Sequence, residues 1–464
     1  MTTLTQLRAV VRDERGIALV MALIVLVALT GLLLAFLTLG SVEPTIAANL
    51  SQTLQARYVA EAGIELGYDL LADTTNWNTL LAGAPACHPV TGWRDVTTPN
   101  HVNQPVPGLT NAFGTYRLRV RNDCHAQDSL LTGAAVDTGN QTTDSNSRLI
   151  LRAEATVGTA RRVIEAVVHR NALPPTNAAL SFPGQEADVA FNGDSFTVSG
   201  IDRNIDGSAG PQPAVYGIAV SATYPNPGTP SSPGPPGSNE ARVENRLSSS
   251  SPNQKNNVSG KNETNPSATT TGNNTIQADS TLTRSAIQEF VDAAKMSADI
   301  TIESTPTSCG TSNSTAGLQP VNPNASCTFN NISWGTEANP KIVYIKGSPP
   351  DPTSMFNAFN VTGNSVGYGI LIVENGDFTM RDNFTWNGPV IVTGLYVGAG
   401  LMGSGNQRIN GTLIVNEEST DEAVGFNEGW VAGNGVIQYS SQAMNLLNNT
   451  RKLVRLYGWR EDAP

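Results

Sequence analysis

Between Ile17 and Ser41 the chain carries no charged residue, and Leu, Val, Ile and Ala dominate. About 25 residues rising roughly 1.5 Å each reach across the ~30 Å hydrocarbon layer of a bilayer. The stretch therefore predicts one membrane-crossing helix. Arg8, Arg12 and Arg15 precede it within a short leader, 1–16, and the first charge after it is Glu43. That asymmetry places the N-terminus in the cytoplasm and everything beyond the span outside. The apolar stretch runs on past Pro44 with no small-residue cleavage site, unlike a secretory signal. Leu50, Leu54, Tyr58, Ile64 and Leu70 continue at helical spacing, so the expectation is a stalk over 17–75, kinked or broken at Pro44.

Two local strings narrow the reading. Glu14-Arg15-Gly16-Ile17-Ala18-Leu19-Val20 opens the span, and Ala56-Arg57-Tyr58-Val59-Ala60-Glu61-Ala62-Gly63-Ile64-Glu65 follows it. Together they resemble the N-terminal domain of PilX-type minor pilins, in which a basic leader ends in Gly and an A-E-A-G-like segment closes the amphipathic half of the helix. The resemblance implies cleavage by a prepilin peptidase between Gly16 and Ile17, other pilin subunits as partners through the helix, and a role in type IV pilus assembly. Glu61 and Gly63 would be assembly residues. Met21 stands where major pilins carry Glu at the fifth mature position. Such a Glu is costly in the membrane and pairs with a neighbouring N-terminus. Its absence implies a subunit that primes the filament or sits at its tip, or a leader that is not cut.

The remainder is of another composition. Over 464 residues only 14% are charged, with net charge −11, 43 Gly and 28 Pro. A hydrophobic share of 39% excludes a polytopic membrane protein, and the negative charge argues against a nucleic-acid partner held by its phosphates. Sparse charge with abundant Gly, Ser, Thr and Asn suits an exported β-rich chain. Thr115 to Arg121 alternates as a half-buried strand, and Arg148–Val157, Gly158-Thr159 and Ala160–His169 read as a hairpin. The expected fold is α+β: the stalk helix, a pilin-like antiparallel sheet over 76–170, and a distal domain over 171–442 with a cap at 443–464.

That distal domain is expected to be a parallel β-helix. Runs beginning Gly369-Ile370, Gly388-Pro389, Gly411-Thr412 and Gly435-Val436 recur at 19, 23 and 24 residues, and Ile342–Ile345 and Phe196–Gly200 resemble further coils. A step near 20 residues fits one turn of a solenoid better than the shorter repeat of a sandwich. Asn171–Ser181 reads as a linker. Residues 225–277, rich in Pro, Ser, Asn, Gly and Thr, read as a disordered insertion. Ser285–Asp299 resumes helical spacing.

Candidate chemistry is sparse. Cys87, Cys124, Cys309 and Cys327 fall in the exported part, where pairing in sequence order is expected. Cys87-His88 with Cys124-His125 also offers the donors of a zinc site, though without the usual spacing. Asp202, Asn204 and Asp206, followed by Gly207, match the opening of a calcium loop, but Pro213 stands where an EF-hand needs Glu, leaving a non-helical calcium turn or a plain Asx-rich turn. Gly363-Asn364-Ser365-Val366-Gly367 fits a nucleophile elbow in letters only, because a strand rather than a helix follows. Asp377 and Asp382 could form an acid–base pair by analogy with β-helix enzymes. No cofactor besides calcium is implied, and no enzyme is expected. The sequence favours a single-pass inner-membrane minor pilin for assembly, priming or tip adhesion. The alternatives are a type II secretion tip pseudopilin and an anchored carbohydrate-active enzyme.

Overall fold

The computed structural model describes residues 14–74, 76–184, 187, 189–193, 195–222, 238–247, 254–262, 275–311, 327–348, 357–401, 405–417, 429–449 and 453–462. The chain divides into two units: Met1–Leu70, Asn76–Val168 and Leu456–Pro464, and Leu71–Thr75 with His169–Arg455.

In the first unit one helix, α1 (Glu14–Asp73), runs continuously through Pro44, so of the kink or break expected there the break is absent. Strands β1 (Arg94–Asp95), β2 (Thr115–Asn122), β3 (Arg148–Val157) and β4 (Ala160–Arg170) form a sheet in chain order, with β1, β2 and β3 antiparallel. Gly158, at φ +57°, makes the turn between β3 and β4. Alternation sorts the two faces of this sheet. Tyr116, Leu118 and Val120 are buried, while Arg117 and Arg119 join a ladder of ion pairs. The sheet is completed by Val454–Asp462, beside β4. This corrects the expected cap at 443–464. Ser441–Asn445 is a short helix, but the last strand returns to the sheet that the chain left at Arg170.

The second unit carries two sheets of parallel strands. Down the larger, the order is Ile276–Asp279, Tyr216–Ser221, Ala178–Phe182, Arg408–Glu417, Asn383–Gly394, Asn364–Glu374, Lys341–Lys346 and Ile300–Thr305, closed by antiparallel Ser308–Thr311. The smaller runs Thr328–Asn330, Asn357–Thr362, Asp377–Met380, Ala399–Leu401, Gly429–Ala432 and Val189–Asn192. From Asn357 to Ala432 the chain alternates between the sheets. The stacking order is not chain order. The path enters mid-stack at Ala178, moves outward to Asp279, and passes through the helix Arg284–Lys295 to the opposite end. It then climbs back until Leu413 pairs with Leu180.

Gly388 pairs with Gly411, and Leu371 with Val390, so three of the glycine-led runs stack in register. The fourth departs: Val436 pairs with Arg408 rather than with the segment after Gly411, and Val436–Gln438 stacks on Thr197–Ser199. The supposed linker contains a core strand, since Ala178–Phe182 is fully buried. Nor is 225–277 disordered throughout. Its described parts include the helix Asn239–Arg246 and the strand Val258–Ser259, and Val243, Leu247, Val258 and Ile276 are buried. The rest of that stretch lies outside the described residues.

Both faces of the larger sheet are covered, which explains runs of apolar residues without alternation. Leu371, Val373, Val390, Val392, Leu413 and Val415 point to the main core, which holds a column of rings through Trp334, Phe359 and Phe378 with centroids 5.6 Å apart. Their neighbours Ile370, Ile372, Ile391 and Ile414 face the other way, onto Ile287, Phe290, Val291 and Ala294 of the helix Arg284–Lys295. Thr283 caps that helix by accepting a hydrogen bond from Ala286 N–H.

Candidate assembly surface

The two halves of α1 differ in what surrounds them. From Ile17 to Leu39 the apolar side chains are bare, Met21 being 60% exposed and Ile17 67%. The helix is long and apolar enough to cross a membrane. Its few hydroxyls are satisfied internally: Thr30 donates to the carbonyls of Leu26 and Val27, and Thr38 to that of Ala35. Such back-bonding removes the penalty of a free hydroxyl in an apolar setting.

The second half packs on the sheet through small residues. Ala56, Val59, Ala60 and Ile64 are buried. A Cβ on Gly63 would lie 3.0 Å from Ala153 Cβ and 3.2 Å from Tyr116 Cδ2, and one on Gly67 2.9 Å from both Leu118 and Leu151. Gly63, singled out for assembly, thus lets the helix lie close against β2 and β3. Glu61 accepts from Arg57 at 3.0 Å, one helical turn before it. Gly16 and Ile17 lie in continuous helix.

The face of the sheet away from α1 is a chain of ion pairs. Asp95 takes two hydrogen bonds from Arg117, at 2.7 and 2.6 Å, which with the neighbouring Arg119 hold its carboxyl below the usual range despite partial burial. Glu154 accepts from Arg119, Arg152 and Arg161; burial pushes its carboxyl up, but these cations outweigh it and the net displacement is downward. Buried Glu165 takes Arg152 at 2.5 Å and Arg460 at 2.7 Å. The R-x-R-x-R pattern of residues 117–121 signals this face, but its partners lie on other strands and were not assigned from sequence.

Cys87 is bonded to Cys124 and Cys309 to Cys327. The first bond removes the thiols that a zinc site would need. His88 and His125 instead accept backbone hydrogen bonds through Nδ1, from Val90 and Thr91 and from Gln127. The Asp202 loop is held by its own contacts. Buried Asp202 accepts from Ser441 N–H and hydroxyl and from Gln212 N–H, exposed Asp206 accepts from Ser208, and Asn204 donates to Ser208 and Ala209. Among the described residues no group of three or more His, Cys, Asp or Glu is placed to hold a metal ion.

Ser365 is buried in a strand, donating to Thr362 C=O and accepting from Ile332 N–H. Asp377 accepts from Gly398 N–H and Asp382 from Gly363 N–H, so each fixes a bend between strands.

No family model matches this chain, and no curated protein does. Among solved structures the chain is similar to the competence-associated pilin ComZ from Thermus thermophilus, at 13% identity and a TM-score of 0.25, over 89% of this chain and 98% of that one.

Proposed function

We propose that this chain is a structural, non-enzymatic subunit of a type IV pilus-like filament, a minor pilin of the PilX type that primes assembly or is displayed at the tip for adhesion. One observation carries the reading. α1 is a 60-residue helix whose first half is bare and apolar and whose second half lies on an antiparallel sheet through Gly63 and Gly67. The E-R-G-I-A-L-V and A-E-A-G-I strings sit at the start of the bare half and within the packed half. In this account the bare half holds the subunit in the inner membrane, N-terminus cytoplasmic, until lipid contacts are exchanged for contacts with other stalks. Met21 supplies no charge to pair with an incoming N-terminus, which suits an initiating or terminal position.

The two parallel sheets of the second unit would then be faces of a solenoid of the parallel β-helix type, carried as an insertion between β4 and the returning strand. The alternation of the chain between sheets and the registers of successive strands support this. Asp377 and Asp382, both bound to backbone amides, favour a structural over a general-acid role.

Mass spectrometry of the chain from cells containing a prepilin peptidase tests the reading. A mature N-terminus at Ile17, abolished by Gly16→Ala, is expected. A chain beginning only upstream of Gly16 would overturn processing as a pilin.

A further inference from the structure

The first unit leaves the returning strand of its sheet partly uncovered, at Leu456, Tyr457 and Trp459. α1 lies over β2 and β3, and beside it a groove of about 330 Å3 opens, with Ile164 and Ala166 of β4 as its floor. Glu61 and Glu65 of α1 form one wall and Tyr457 and Trp459 of the returning strand the other. These two aromatic residues remain 69% and 59% exposed. Along α1, Leu50, Leu54, Tyr58, Glu61 and Glu65 fall on one helical face, and the first three are exposed. An apolar stripe therefore runs from the bare half of the helix directly into an acidic, aromatic groove.

We infer that this groove seats the stalk helix of a different filament subunit, laid along α1 with a basic side chain between Glu61 and Glu65. The inference rests on the pilin-like reading above. Continuity selects a helix, because the stripe that leads into the groove is the surface along which a neighbouring stalk would lie. Size agrees: the volume takes two or three side chains, the anchors of an amphipathic helix rather than a folded domain. Charge selects the partner. Among the described residues Glu61 pairs with Arg57, which is half exposed and also lies 4.0 Å from Glu461, and Glu65 is exposed. Tyr457 and Trp459 offer ring faces that attract a cation. A second copy fits poorly, since residues 42–70 hold Glu43, Glu61, Glu65 and Asp69 against Arg57 alone. Like charges would then meet across the contact.

The test uses the full chain in its own cells, with Trp459 replaced by the photo-cross-linker p-benzoylphenylalanine and the same replacement at exposed Leu130 as control. The expected adduct from the first site maps to the apolar N-terminal helix of another membrane-inserted subunit, with Lys or Arg at the contact. Reversing charge with Glu61→Lys and Glu65→Lys should lower its yield at least about tenfold. An adduct with lipid, a soluble protein, a glycan or a second copy, no adduct, or one unaffected by charge reversal would each overturn the assignment. Processing at Ile17 and presence in filaments are scored in the same cells. If both hold while the adduct fails, the groove assignment alone falls; if neither holds, the pilin-like reading falls and takes the groove with it.

Discussion

Arg460 donates two hydrogen bonds to Glu165, at 3.0 and 2.7 Å, across 295 residues of sequence. That pair joins the returning strand to β4 within the first unit. Glu165 is 1% exposed and also holds Arg152, so removing its charge leaves Arg152 to Glu154 and takes a buried carboxylate from Arg460. Glu165→Gln should cost about 3 kcal/mol, in the range for breaking a buried pair. Arg460→Ala should cost under about 1 kcal/mol, because Arg460 is half exposed and Glu165 keeps Arg152. Urea unfolding of the two variants checks the ordering.

Successive glycines set the spacing of the stacked strands. A Cβ on Gly388, at φ +136°, would lie 1.9 Å from the carbonyl oxygen of Gly369, and one on Gly411 2.3 Å from that of Gly388. Gly388→Ala should destabilise the second unit by more than about 4 kcal/mol, since backbone meets backbone and the φ is strained. Gly139, at φ +82° with open space around it, is the control, and its alanine variant should cost about 1 kcal/mol. Thermal unfolding of both separates clash from strain.

Close approach of α1 to the sheet is equally specific. Gly67→Ile would push a branched side chain into Leu118 and Leu151 and should cost about 2 to 3 kcal/mol. Membrane insertion should be unchanged, because the bare half is untouched. Fractionation of cells combined with limited proteolysis reads the two effects apart: the variant stays with membranes but is cleaved faster.

The loops after β2 give the first unit a pH dependence. Burial pushes Asp123 up from its ordinary 3.8 to about 7, against a hydrogen bond from Asn146 and with help from Asp137 and Asp144. Asp144 is pushed to about 6, chiefly by burial. A carboxyl with a raised folded pKa binds more protons folded than unfolded, so its contribution is full below about 4 and is lost as pH rises to about 7. Asp95 and Glu154, with lowered values, lose theirs only at more acid pH. Half-buried His101, pushed down by desolvation, acts in the opposite sense below its ordinary 6.5. The Asp123→Asn variant isolates the carboxyl: the difference in stability between pH 5 and pH 8 should move toward greater relative stability at pH 8 than in the parent. Melting curves at the two values measure it.

Much of the architecture was legible where local pattern and burial agree. The uncharged run after Ile17 and the i, i+4 spacing beyond it marked α1, and alternation over Thr115–Arg121 marked β2. Runs led by Gly369, Gly388 and Gly411 marked a stack because each needs a glycine where one backbone crosses the next. What escaped depended on pairing between distant strands. Val454–Asp462 alternates in a manner that suits any edge, so nothing local told it to join β4. Gly435 resembled the other run openings, but its strand aligns with Arg408 instead. Val243 and Leu247, one helical turn apart in a segment of low apolar content, were a local hint of buried structure there, with Val258 and Ile276 as isolated apolar residues beyond them. For the candidate surface, Gly63 was legible as important, while its packing role depends on Ala153 and Tyr116, which only the fold brings beside it. The groove beside it draws on three separated segments.

The most direct measurement of the central claim is immunodetection of this chain in filaments sheared from cells and purified away from membranes. The account predicts that it co-purifies with them in substoichiometric amount, processed to Ile17, and is lost from that fraction when residues 17–41 are replaced by an unrelated membrane span. Retention solely in the inner membrane of cells that bear filaments would contradict it.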